Sequence, residues 1–262
     1  MTDTNLFKNA IHEAEREFKA RLEQQRLFQA QNLFLVKLYE VLKTDERCAS
    51  LGKLLSEQYE DFRKKLDGTG RTYDHIVQEK ALVDIYSSFE QFLSDCLFNL
   101  YFYFPKFLGD IVEVSTVDLF IDGNIELCKK NKVESKVKSE IQSKNIRDIL
   151  SYIGKEFRMK SLQFDVSIVD ELLEIGLIRN LIVHNNGVVN VIHGIQIRKF
   201  FPENSQKYSF KEGESVQTRL PEIVERIKEI TVQLCEKITQ IITDDTIRLE
   251  KYHQNYVPKS KK

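Results

Sequence analysis

Cysteine is scarce in this 262-residue sequence, and its four copies lie far apart. Cys48, Cys96, Cys128 and Cys235 form no Cys-x-x-Cys pair, the spacing typical of zinc sites. The pattern therefore argues against a disulfide framework and against a zinc site. Cys96 and Cys235 stand among apolar residues at helical spacing, so we expect both to be buried thiols.

The sequence also lacks a hydrophobic run long enough to cross a membrane. Its most apolar stretch, Cys96 to Val112, is interrupted by polar and helix-breaking residues such as Pro105 and Asp110. The first five residues are polar and have no basic segment followed by an apolar one, as a secretory signal would. We therefore expect a cytoplasmic protein with no membrane partner.

Neither sign of charge is in excess, because 39 basic and 40 acidic residues give a formal net charge of −1. Any nucleic-acid binding must therefore use a local basic patch. Hydrophobic residues make up 42% and charged residues 30%, which is typical of a folded, charge-rich protein. No Walker loop, no His-Glu-x-x-His and no Gly-x-Ser-x-Gly motif is present, so these enzyme classes have no support.

Apolar residues at helical spacing dominate the sequence and predict an all-α fold. Asn5–Leu42 and Glu46–Leu66 are expected to pair as an N-terminal helical hairpin, which we assign to residues 1–66. The Asp-Gly-Thr-Gly segment at 67–70 is the clearest break in the chain. A second helical domain is expected over residues 73–257.

The second domain is expected to begin and end with long helices. The first, Tyr73 to Phe104, carries a stripe of buried residues along one face. The last begins at Pro221, which suits a first helical turn, and runs to about His253. Between them, Ile125–Lys144 predicts a strongly basic helix.

A short extended region is predicted before the last helix. Val188–Ile192 and Ile195–Ile197 are rich in β-branched residues. Tyr208–Phe210 and Ser215–Gln217 flank a turn at Gly213, and we expect them to form a small β-hairpin insertion.

Residues 179–187, Arg-Asn-Leu-Ile-Val-His-Asn-Asn-Gly, close an apolar helix. Arg179 falls on the line of apolar residues along that helix: Ile168, Leu172, Ile175 and Ile182. Asn180 and His184 are four apart and share an adjacent face. A guanidinium is rarely placed on an apolar line unless an anion meets it.

Two interpretations of this cluster stay open. Cationic side chains near a helix C-terminus are favoured by the macrodipole, by a few tenths to about 1 kcal/mol each, without any function. Alternatively, Arg179, Asn180 and His184 bind and process an anionic substrate. His193 could assist, but a turn histidine beside Gly194 is the preferred interpretation.

The string at 179–187 resembles the R-x4-6-H signature of the HEPN family, small all-helical domains of which many are metal-independent ribonucleases. The helix Val77–Phe104, with Ser-Ser-Phe-Glu-Gln-Phe-Leu at its centre, is similar to an upstream HEPN helix that carries an acidic residue. The resemblance covers residues 73–252 and implies an up-and-down helical bundle. It also implies an endoribonuclease, in the role of a toxin or phage-defence effector.

The residues fit metal-free cleavage of RNA by attack of the ribose 2′-hydroxyl. His184 can move protons near neutral pH, and Arg179 can neutralise the phosphorane with a fork of donors. Asn180 could orient the imidazole or bind phosphate. Glu90 could fix the guanidinium, or it is a Glu at the edge of an apolar stripe whose head reaches water. No metal or cofactor is expected.

RNA is the expected partner, together with a second copy of the chain and a possible antitoxin or defence-system protein. The basic helix supplies candidate phosphate contacts at Lys129, Lys130, Lys132, Lys136 and Lys138. A solvated face is the favoured alternative for these lysines. Two other functions stay open: a catalytically inactive HEPN-type dimer that binds a partner or nucleotide, and a plain helical scaffold.

Overall fold

A computed structural model defines the fold. It describes residues 4–44, 73–112, 124–142, 144–159, 164–201 and 206–255. These residues are 87% helical and include no strand, so the all-α prediction is confirmed. No helix among them is long and apolar enough to cross a membrane. The predicted helix Glu46–Leu66, the break at 67–70 and Cys48 lie outside the described residues.

Eight α-helices lie in the described part of the chain. In order they are α1 Thr4–Thr44, α2 Tyr73–Tyr103, α3 Ile125–Gln142, α4 Ile146–Glu156, α5 Val166–Asn185, α6 Val191–Phe200, α7 Leu220–Asp244 and α8 Thr246–Asn255. Short 3-10 helices span Pro105–Val112 and Val216–Arg219. The long first helix and the helix at 73–104 were both predicted, and each ends within two residues of its predicted end.

Two predictions for the C-terminal third are wrong. The final helix is divided at Asp245 into α7 and α8. The segment predicted to be extended at 191–197 forms α6 instead. Its start is set by Asn190, whose side-chain oxygen accepts a hydrogen bond from the His193 amide at 2.9 Å. This cap outweighs the β-propensity of the branched side chains that follow.

The predicted β-hairpin is also absent from the described residues. Val216–Arg219 is a 3-10 helix, and Ser215 forms an isolated antiparallel bridge with Val188. The Val189 amide donates to the Glu214 carbonyl at 2.9 Å, which extends this pairing. The turn at Gly213 therefore returns the chain to the end of α5 rather than to the segment at 208–210.

The chain divides into two compact units. The first unit contains Met1–Lys19, Ser88–Leu173 and Ile230–Lys262, and the second contains Ala20–Ser87 and Glu174–Glu229. Helices α1, α2, α5 and α7 each contribute residues to both units. The boundary predicted between residues 1–66 and 73–257 stays a prediction.

Aromatic side chains fill the core of the first unit. Phe18 of α1 meets Phe89 and Phe92 of α2 with ring centroids 5.9 and 5.7 Å apart. All three rings are fully buried, which anchors the amphipathic faces that the sequence indicated. Cys96 and Cys235 are buried free thiols, as predicted.

Helix α5 organises the second unit through close contacts. Gly176 lies directly against the Tyr86 ring, so a side chain at this position would clash with the phenol. The carboxylate of Glu174 accepts hydrogen bonds from the amides of Lys207 and Tyr208, at 2.8 and 2.6 Å. Because this carboxylate is buried, the two bonds fix the 206–210 segment against α5.

Candidate active site

The end of helix α5 is fixed by a tight, glycine-dependent turn. Asn186 and Gly187 both adopt left-handed backbone conformations, with φ of 51° and 74°. The Gly187 amide donates to the Leu181 carbonyl at 3.0 Å, which closes the helix. A Cβ at Gly187 would lie 3.3 Å from the Val216 side chain, so this turn packs tightly against the 3-10 helix. The backbone that carries His184 is therefore held in place.

Arg179 lies on the buried line of α5, as the sequence predicted. Its neighbours on that line, Leu172, Ile175 and Ile182, are buried, and Arg179 itself is half-buried. Its Nη1 donates to the Asn180 side-chain oxygen at 3.1 Å. Its Nε atom is buried and has no hydrogen-bond acceptor among the described residues. An unsatisfied buried donor costs about 1–3 kcal/mol, so the site favours a ligand that supplies an acceptor.

His184 occupies the last turn of α5 and is exposed. Its imidazole forms no hydrogen bond or ion pair with another described residue. It lies five positions after Arg179, which places the two side chains about 140° apart around an ideal helix. The two side chains therefore lie on different sides of α5, with His184 exposed to solvent and Arg179 half-buried.

The fourth predicted site residue belongs to a different unit. Glu90 is half-buried on α2 in the first unit, whereas Arg179, Asn180 and His184 lie in the second. Its predicted role of fixing the guanidinium stays a prediction.

The five lysines predicted to bind RNA lie on α3 in the first unit. Lys130 and Lys138 are exposed, and the other three are half-buried. Lys136 is paired with Glu140, and Lys130 lies 3.8 Å from Glu134. Lys129 lies 4.3 Å from the centroid of the Phe102 ring, and burial lowers the pKa of its amine. Acidic or aromatic side chains thus already contact Lys129, Lys130 and Lys136. These contacts favour the interpretation of α3 as a solvated face rather than an RNA-binding surface.

The sequence did not lead us to predict the buried polar atoms of His193 and Gln206 beside α6. His193 is not a turn residue, because it lies in the first turn of α6 and is 4% exposed. Its Nδ1 has no hydrogen-bond partner among the described residues, and the same holds for Oε1 of Gln206. The Asn190 cap, three residues before His193, was the signal that could have identified this helix start.

No protein-family model, no curated protein and no solved structure matches this chain. The described residues also bring together no group of three His, Cys, Asp or Glu side chains that could hold a metal ion.

Proposed function

We propose that this protein is a HEPN-type endoribonuclease that cleaves RNA without a metal ion. The observation that carries the proposal is the half-buried guanidinium of Arg179, whose Nε has no acceptor and which has no carboxylate partner among the described residues. A phosphate oxygen supplies both the acceptor and the negative charge that this group needs. His184, exposed near the same helix end, supplies the proton-transfer group.

The reaction proceeds by an internal displacement at phosphorus. The ribose 2′-oxygen forms a bond to phosphorus while the bond to the 5′-oxygen of the next nucleotide breaks. One imidazole accepts the 2′-hydroxyl proton, and a protonated imidazole donates a proton to the leaving 5′-oxygen. Arg179 stabilises the extra negative charge on the phosphorane. Asn180 positions the Arg179 guanidinium by accepting the hydrogen bond from Nη1.

We propose that the active form is a two-fold homodimer. The end of α5 in one copy supplies one histidine, whereas the reaction uses both a general base and a general acid. In addition, the side chains of Arg179 and His184 lie about 140° apart around α5, so those of one copy are poorly placed to contact the same phosphate. The residues around His184 expose several aliphatic side chains that a second copy would cover: Val183, Val188, Val191, Ile192 and Ile195. A contact between identical faces is the commonest geometry of homo-oligomers.

The dimer is tested with Ile192→Glu and the matched control Ile247→Glu, which changes an exposed isoleucine on α8. We expect Ile192→Glu to give a monomer by light scattering and to lose cleavage at the same protein concentration. Ile247→Glu should remain dimeric and active. A wild-type monomer with full activity per molecule on dilution would overturn the composite site.

The cleavage proposal is tested with Arg179→Lys, which keeps the charge but loses the planar fork of donors. We expect at least a tenfold drop in cleavage of single-stranded RNA with little change in the melting temperature. Wild-type cleavage that is unaffected by this substitution would remove Arg179 from the mechanism.

One observation favours a second candidate, an inactive HEPN-type dimer that binds a partner or a nucleotide. No described residue orients the His184 imidazole, whereas general bases are usually held by a third group. RNA binding without cleavage by the wild type would select this alternative. If cleavage is found, the resemblance favours a toxin or defence effector controlled by a partner protein.

A further inference from the structure

A cavity of about 300 Å³ lies beside the first turns of α6 in the second unit. Val189, Ile197, Tyr208 and Phe210 give it apolar and aromatic walls. Its size is at the lower end of the range for small-molecule pockets, so it suits a group smaller than a typical drug. The Glu174 carboxylate accepts a buried hydrogen bond from the amide of Tyr208, which fixes the backbone of this one lining residue.

Two of the residues lining this cavity carry buried polar atoms with no hydrogen-bond partner in the described part of the chain, namely Nδ1 of His193 and Oε1 of Gln206. Buried polar atoms are normally hydrogen-bonded, and each exception requires an explanation. Burial lowers the pKa of His193, so its imidazole is neutral near pH 7 and Nδ1 can either donate or accept. Gln206 Oε1 can only accept. A ligand that satisfies both atoms would therefore present at least one N–H or O–H donor beside a second polar atom.

One cationic and one acidic side chain, Arg198 and Glu212, also line the cavity. Nη1 of Arg198 lies 3.7 Å from the position that a Cβ on Gly194 would occupy. The guanidinium thus folds back along α6 over Gly194. An anionic group attached to the ligand would meet this guanidinium.

A planar heterocycle with donor and acceptor atoms on one edge and a linked phosphate is a nucleotide. The cavity is also close in the chain to the proposed cleavage site. Five residues lead from His184 to Val189, which limits their Cα separation to about 18 Å, a span of a few nucleotides.

We propose that this cavity receives one unpaired base of the RNA substrate and thereby selects the nucleotide near which the chain is cut. The proposal rests on the proposed ribonuclease function. The aromatic and aliphatic walls exclude water from the base, His193 and Gln206 contact its polar edge, and Arg198 contacts the adjoining phosphate.

The test compares wild type with Gln206→Leu, and with Gln196→Leu as the control on α6 outside the cavity. Cleavage sites are mapped on an RNA with a randomised single-stranded region. Binding is measured in parallel with 2′-O-methyl oligonucleotides of each base, in which the attacking hydroxyl is blocked. We expect wild type and Gln196→Leu to prefer one base by about tenfold, and Gln206→Leu to lose most of that preference. The melting temperature of Gln206→Leu should be unchanged or higher, since the substitution removes an unpartnered polar atom.

The outcomes separate the two proposals. Cleavage without base preference, or with a preference that Gln206→Leu retains, would overturn the base site and leave the ribonuclease standing. A base preference in binding that is lost in Gln206→Leu, without cleavage, would support the base site and overturn the ribonuclease. Neither cleavage nor binding would overturn both.

Discussion

Glu174 and Arg179 stand five positions apart on helix α5, yet their charged groups meet opposite surroundings. The Glu174 carboxylate is 1% exposed and accepts two backbone N–H groups. The Arg179 guanidinium is half-buried and leaves Nε without an acceptor. The first charge is satisfied within the fold and serves stability. The second charge lacks a hydrogen-bond acceptor for Nε among the described residues. Such an unsatisfied donor is expected of a group that binds a ligand.

The largest expected effect is on activity. His184→Ala and Arg179→Ala should each lower RNA cleavage at least ~100-fold, the usual loss for one acid–base or charge-stabilising group. Neither should change the melting temperature by more than a few degrees, because His184 is exposed and Arg179 forms no ion pair with a described residue. His12→Ala, which changes an exposed histidine on α1, is the control. Unfolding of the His184 variant would show that this residue serves structure.

The next effect is on stability and concerns the satisfied charge. Glu174→Ala leaves the part-buried amide of Lys207 and the buried amide of Tyr208 without their acceptor, and it should cost about 3 kcal/mol in the free energy of unfolding. Arg179→Ala should cost less than about 1 kcal/mol, since it removes an unsatisfied donor. Urea denaturation of both variants measures the difference. Equal costs would contradict the contrast between the Glu174 carboxylate and the Arg179 guanidinium.

A smaller stability effect is expected at the turn that positions His184. Gly187→Ala should cost about 2 kcal/mol, because the left-handed backbone disfavours a Cβ and the Val216 side chain lies 3.3 Å from it. Gly213→Ala is the matched control, with a φ of 85° and no atom within 4 Å of a Cβ. It should cost about 1 kcal/mol from the backbone alone. Chemical denaturation at one pH compares the two, and a larger cost at Gly213 would refute tight packing at Gly187.

The smallest effect is a pH dependence at the cavity. Burial lowers the pKa of His193 below its ordinary value of 6.5, so the unfolded chain binds a proton more readily than the folded one. The contribution of the neutral His193 imidazole to the free energy of unfolding is complete above pH 6.5 and is lost as the pH falls below that value. We expect wild type to lose more stability between pH 7.5 and 5.5 than His193→Phe, by about 1 kcal/mol or less. An identical loss in both proteins would mean that His193 titrates normally.

The long helices were predictable because their apolar periodicity extends over many turns, as in α2 and the buried line that includes Arg179. The start of α6 was missed, because the β-branched residues at 188–192 favour a strand locally and outweighed the signal of the Asn190 cap. The cavity was not predictable. Glu174 brings Tyr208 to α5 across 34 residues, and no local pattern encodes such a contact.

The chemistry of the RNA ends tests the central claim most directly. Wild-type protein is incubated with a labelled single-stranded RNA in excess EDTA, and the products are examined by mass spectrometry. We expect cleavage that persists in the chelator and leaves 2′,3′-cyclic phosphate and 5′-hydroxyl ends, and we expect no cleavage by His184→Ala. Loss of cleavage in EDTA, or products with 3′-hydroxyl and 5′-phosphate ends, would contradict this expectation.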